Sequence, residues 1–107
     1  MEHLTPDTFH ADPELGDWRL RPDGVHADFT CGDFAHALVF VNAVGVLAEG
    51  AGHHPDIDIR YADVHLRLFT HEADAVTTRD VDLARRISAT AREHGVGARP
   101  EEADAAT

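Results

Sequence analysis

The chain has one cysteine, Cys31, among 107 residues, so it can form neither an internal disulfide nor a thiolate metal cluster. Basic residues are scarce: nine Lys and Arg stand against 20 Asp and Glu, a formal net charge of -11. Phosphate contacts supply most nucleic-acid affinity and need a basic surface, so binding to nucleic acid, and equally to anionic membranes, is not expected. No apolar run approaches the roughly 20 residues of a membrane helix. The opening MEHLTPDTFH has neither a basic lead nor an apolar signal core, so a cytoplasmic protein is expected. The length suits one domain and leaves no room for two. It is enough to bury roughly two-thirds of the unfolded surface in one core.

What is present is a regular pattern of elements. Thr5 and Pro6 read as N-cap and first residue of a short helix that Pro13 and Gly16 stop. WRLR and VHADF flank Pro22-Asp23-Gly24, a hairpin signal. With paired numbers summing to 47, Trp18 and Leu20 share a face with Ala27 and Phe29, and Arg19 meets Asp28. Thr30 and Asp33 resemble a capping box opening a helix over about 31–50, whose apolar stripe is Phe34, Ala37, Leu38, Val41, Val44 and Ala48. Gly50 and Gly52 end it. Ile57, Ile59 and Tyr61 alternate with Asp58 and Arg60, and Val64, Leu66 and Leu68 resume the alternation after Ala62-Asp63. A sum of 125 then pairs Ile57 with Leu68, Ile59 with Leu66 and Asp58 with Arg67, and sets His54 across from His71. Thr77 and Asp80 repeat the capping-box spacing before Val81, Ala84, Ile87 and Ala91. The expected fold is α+β: a four-stranded antiparallel sheet with three helices packed on one face, in the order α-β-β-α-β-β-α. One domain covers 1–97, and 98–107 form a disordered acidic tail.

Nine histidines in so short a chain draw attention to proton chemistry, because imidazole titrates nearest neutrality. His53 and His54 sit together between a helix and a strand. Adjacent residues in extended chain point to opposite sides, so the two do not readily grip one metal ion, and no HExxH spacing occurs. Glu49 lies one helical turn before them, at the helix end where an acid is disfavoured unless it has a partner. Asp80 follows soon after His71, where a capping box explains it without any function. Imidazoles beside carboxylates suit proton transfer, since the carboxylate fixes the tautomer. Trp18 alternates with Leu20 and reads as core before ligand platform. His3, His10, His26, His36, His65 and His94 read as surface or rim residues, and Cys31, at a helix start with no evident base, as unreactive.

Taken together, Glu49, His53-His54-Pro55, Tyr61, His71 and Asp80, with FTCGDF, LVFVNAVGVLAE and TTRDVDLA around them, resemble the signature of the pterin-4a-carbinolamine dehydratases. The resemblance runs from about Leu4 to Ile87. It implies cofactor-independent, metal-free dehydration of a 4a-hydroxytetrahydropterin to the quinonoid dihydropterin, in tetrahydrobiopterin recycling, by a homodimer or homotetramer. His53 and His71 would carry the proton transfers and His54 would hold and polarise the substrate. Glu49 and Asp80 would orient them, Thr70 would offer backbone or hydroxyl contacts, and Trp18 would line the pocket. The chain departs from the family pattern at Gly52, where Asp or Asn is common, at Ala62, where Asn is usual, and at Phe69, where a small polar residue is usual. Pro13 also cuts short the usual first helix. Two other readings stay open: the same chemistry on another bicyclic or hemiaminal substrate, and a non-catalytic binding or assembly module on the same fold.

Overall fold

The computed structural model describes residues 5–101. Helix α1 (Pro6–His10) is capped by the Thr5 hydroxyl, which accepts from Thr8 N–H, and a 3-10 turn follows at Pro13–Leu15. The strands are β1 (Arg19–Arg21), β2 (Gly24–Thr30), β3 (Asp56–Arg60) and β4 (Asp63–Leu68). Helix α2 (Phe34–Ala51) joins the two hairpins, and α3 (Thr78–Glu93) and β5 (Gly97–Ala98) follow. The antiparallel sheet runs β1-β2-β4-β3, with β5 pairing with the end of β2.

Both hairpins keep the expected faces but slip by two residues. Arg19 pairs with His26 and Leu20 with Val25, a sum of 45, so Arg19 meets His26 and not Asp28. Gly24 decides this register. It has φ 138°, and a Cβ there would lie 2.6 Å from the Leu68 carbonyl oxygen, so glycine is needed inside the strand and the turn retreats to Pro22-Asp23. In the second hairpin Tyr61 takes φ 54° and the turn is Tyr61-Ala62. Ile57 therefore faces Leu66, Ile59 faces Val64 and Asp58 faces His65. The opposite-charge pair is Asp56 with Arg67, at 2.7 Å. His54 precedes β3 and has no strand partner.

Val25, Ala27 and Phe29 of β2 and Val64, Leu66 and Leu68 of β4 are fully buried on one face, under Phe9, Leu15, Trp18 and the inner sides of α2 and α3. The inner side of α3 is as expected, with Val81, Ala84, Ile87 and Ala91 buried. That of α2 is so in part: Ala37, Val44 and Ala48 are buried as expected, but Phe40 is buried as well and Phe34 and Leu38 are about half exposed. Most positions of α2 are apolar, so periodicity placed the face only roughly. Its 18 residues are also apolar enough to cross a membrane by length and composition, against the expectation that no segment comes close. Its N-cap is Asp33 alone, accepting from His36 N–H, and Thr30 belongs to β2. The segment expected as tail begins inside the sheet, since β5 includes Ala98 and Arg99 N–H donates to the Asp28 carbonyl. Residues 102–107 of that expected tail lie outside the described residues.

The outer face of the sheet is polar. His26, expected at the surface, is buried there, with Nε2 2.7 Å from Asp23 Oδ1 and Nδ1 3.0 Å from His65 Nε2. His65 Nδ1 in turn lies 3.0 Å from Asp28 Oδ1. Burial pushes the His26 pKa down, partly opposed by its hydrogen bond to Asp23. A folded-state value below the unfolded one, about 6.5, gives stability that is present above that pH and is lost as pH falls toward the folded value. Acidification from pH 7.5 to 5.5 is therefore expected to lower the urea midpoint of the wild type more than that of His26→Gln, which cannot become charged. Equal losses in the two proteins would contradict this.

Candidate active site

The site begins at the end of α2. Gly52, at φ 62°, takes the left-handed conformation that closes the helix and turns His53 N–H back onto the Ala48 carbonyl. Asp and Asn are the other residues that reach this conformation readily, so glycine here preserves the turn that presents His53 and His54.

His53 is buried, and its Nε2 lies 2.5 Å from Asp80 Oδ1. Asp80 is fully buried at the start of α3. Its second oxygen, Oδ2, accepts from Thr77 N–H at 2.9 Å and from the Thr70 hydroxyl at 2.7 Å. One oxygen thus closes the capping box and the other is hydrogen-bonded to the imidazole. With Nε2–H committed to the carboxylate, Nδ1 is the nitrogen of His53 left for proton exchange.

His54 Nε2 is hydrogen-bonded to Glu49 Oε2, and both side chains are exposed. This supplies the partner that an acid in the last turn of α2 required. His71 follows β4 by two residues past Phe69; Thr70, between them, points inward and is buried. Gly52, His53, His54, Phe69, His71 and Glu72 line one cleft of about 150 Å³. A second cleft of about 300 Å³, lined by Gly50, Ala51, His53, Arg79, Asp82, Leu83 and Arg86, shares only His53 with the first. The smaller cleft gathers all three imidazoles and is the candidate site.

Two expected residues lie elsewhere or act differently. Trp18 lines neither cleft; it is fully buried, donates Nε1–H to Ser88 Oγ at 2.9 Å, and meets Phe29 edge-on. Thr70 is not free for substrate: its hydroxyl serves Thr77 and Asp80, and its N–H and carbonyl bond within the 70–75 turn. It steadies Asp80 instead. The sequence reading missed Arg79, whose guanidinium donates to the Gly52 carbonyl at 2.8 Å and so ties α3 to the end of α2. Its place beside Asp80 in TTRD was the available signal. Cys31 has its thiol pKa pushed up by burial, with Asp63 and Asp33 adding to the effect, as suits an unreactive residue. Among the described residues no cluster of three or more His, Cys, Asp or Glu is arranged to hold a metal ion.

A family model described as pterin 4 alpha carbinolamine dehydratase matches residues 2–90. The chain belongs to the pterin 4 alpha carbinolamine dehydratase family. A relative from Thermomicrobium roseum is 47% identical over 75 residues, 70% of this chain and 81% of its own length. Another, from Acidobacterium capsulatum, is 46% identical over 90 residues, 83% of this chain and 98% of its own. Both carry the pterin-4-alpha-carbinolamine dehydratase name as a provisional assignment. A Brucella melitensis structure described as a transcriptional coactivator/pterin dehydratase superposes with a TM-score of 0.72 at 27% identity, covering 84% of this chain and 99% of that one. A pterin dehydratase-like protein described as a RuBisCO assembly factor in the alpha-carboxysome shares the fold, with a TM-score of 0.58 at 24% identity over 69% of this chain and 86% of that one. The Brucella melitensis protein is thus named for a role beyond catalysis.

Replacing Asp80 by Asn puts an NH₂ donor where both carboxylate oxygens receive donors. Asp80→Asn is expected to cost about 1–3 kcal/mol in urea denaturation, with the slope unchanged. Glu49→Gln, whose partners are exposed, is expected to stay near wild type. Equal costs for the two would remove Asp80 from its central place.

Proposed function

We propose that the protein dehydrates a 4a-hydroxytetrahydropterin to the quinonoid dihydropterin by histidine general acid and base catalysis, as a step in tetrahydrobiopterin recycling. The observation that carries the reading is that one cleft is lined by three imidazoles, two of them held by carboxylates, in a chain of this family. In the reaction N5 loses its proton to one imidazole and its electron pair forms the C4a=N5 bond. The C4a–O bond breaks, and the hydroxyl takes a proton from a second imidazole and leaves as water. No electrons enter or leave, and the proton taken from N5 balances the one given to the hydroxyl.

His53 and His71 are the proton carriers in this reading, and His54 holds and polarises the substrate. Asp80 fixes the His53 tautomer, so that each turnover starts from the same nitrogen. His54 and His71 are exposed and can return to their resting state through solvent.

The proposed unit is a homo-oligomer. Helix α2 exposes Phe34, Leu38, Val39 and Val46, the last at 74%, an apolar side that a second copy would cover. Val39→Glu with Val46→Glu is expected to lower the mass measured by sedimentation to that of a smaller assembly. A wild type that sediments as a monomer would end this part of the reading.

The deciding experiment follows decay of a chemically generated 4a-hydroxytetrahydropterin. Wild-type protein is expected to speed it, and His53→Ala and His71→Ala each to lose about 10²–10⁴ of that acceleration. Unchanged rates in both variants would overturn the proposal. Turnover confined to a different hemiaminal would move it to another substrate.

A further inference from the structure

The three imidazoles of the cleft do not share one kind of partner. His53 has Asp80 and His54 has Glu49, but among the described residues the His71 imidazole makes no hydrogen bond or ion pair; only its carbonyl is engaged, accepting from Asp74 N–H. Its ring contact is with Phe69, at 5.3 Å between centroids and 69° between planes, an edge-to-face arrangement. Phe69 is one of the departures from the family pattern, and it lines the cleft with the imidazoles.

Phe69 is itself held from outside the cleft. The guanidinium of Arg67 lies over its ring, with Cζ 5.4 Å from the centroid. Arg67 is fixed in turn by Asp56 Oδ2, 2.7 Å from Nη1, and by the Asp23 carbonyl, 2.6 Å from Nε. The alternation of the chain past β4 sends Leu68 and Thr70 inward and Phe69 and His71 to the other side, so the two rings meet as next-but-one neighbours.

We infer that Phe69 is the positioning residue of His71, setting its ring by an aromatic contact where carboxylates set the other two. The inference rests on the reading of His71 as a proton carrier. A carboxylate partner binds one nitrogen and favours the charged ring; an aromatic edge contact restrains the ring while leaving both nitrogens unengaged. His71 can then take a proton on one nitrogen and meet the substrate with either, which suits the group that must both accept and release within a turnover.

Phe69→Leu keeps apolar bulk and removes the ring, and Phe69→Tyr restores the ring. Phe69→Leu is expected to lower kcat about three- to tenfold, the worth of one aromatic pair, with KM within about twofold. Phe69→Tyr is expected to recover wild-type kcat. In proton NMR the His71 ring signals are expected to move in Phe69→Leu and to hold their wild-type positions in Phe69→Tyr. Wild-type kcat in Phe69→Leu, alongside loss of turnover in His53→Ala, would overturn this inference and leave the dehydratase reading standing. A wild type without turnover would instead overturn that reading and the catalytic part of this one, and unmoved His71 signals in Phe69→Leu would reject the ring contact by themselves.

Discussion

The buried carboxylate of Asp80 is the constraint on which the site depends. Burying an ionised group is costly unless each oxygen is satisfied, and here the Thr77 N–H, the Thr70 hydroxyl and the His53 imidazole supply three donors. The start of α3 adds a favourable field from its unpaired N–H groups. These donors come from three separate stretches of chain: the helix entry, the segment leaving β4, and the turn between α2 and β3. Satisfying one carboxylate therefore locks together the segments that carry His53 and His71. The same hydrogen bonds that stabilise the helix also aim the imidazole, so the site is rigid where it is buried.

Rigidity falls off toward solvent in a graded way. The Glu49 and His54 side chains are exposed, so their hydrogen bond adds little to stability. The His71 ring has no charged partner among the described residues. The proposed proton transfers would use both kinds of group, since a fixed ring sets geometry and looser rings exchange protons with water.

Much of this was legible in the sequence, and the errors have physical causes. Both hairpin registers slipped by two residues because turn residues alone do not reveal that Gly24 is needed inside β2 or that Tyr61 takes a left-handed conformation. A slip of two keeps every side chain on its face, because strands repeat with period two, so the core assignments survived while the cross-strand partners changed. The expected pairing of His54 with His71 across two strands was lost. The convergence of the imidazoles did not depend on it: the cap at Gly52 places His53 and His54, and the extended segment after β4 places His71. Trp18 was read both ways, and its packing on Phe29 with a bond to Ser88 settles it as core. The inner face of α2 was read in part: Ala37, Val44 and Ala48 are buried as expected, while Phe40 was missed and Phe34 and Leu38 were misplaced, because a helix apolar on most sides carries a weak periodic signal.

The departures from the family pattern differ in what they change. Gly52 stands where a residue must take positive φ, a conformation that Asp and Asn reach through their short polar side chains and glycine reaches for want of a Cβ. The backbone outcome is the same, so this departure leaves the direction of His53 intact. Phe69 puts an aromatic ring in the lining of the cleft, with the Arg67 guanidinium over it and the His71 ring edge-to-face with it. Both positions line the cleft, so each alters what faces it: Gly52 presents no side chain there while keeping the turn, and Phe69 replaces the surroundings of His71. The aromatic neighbour thus acts on the His71 side of the cleft, away from the carboxylate that holds His53.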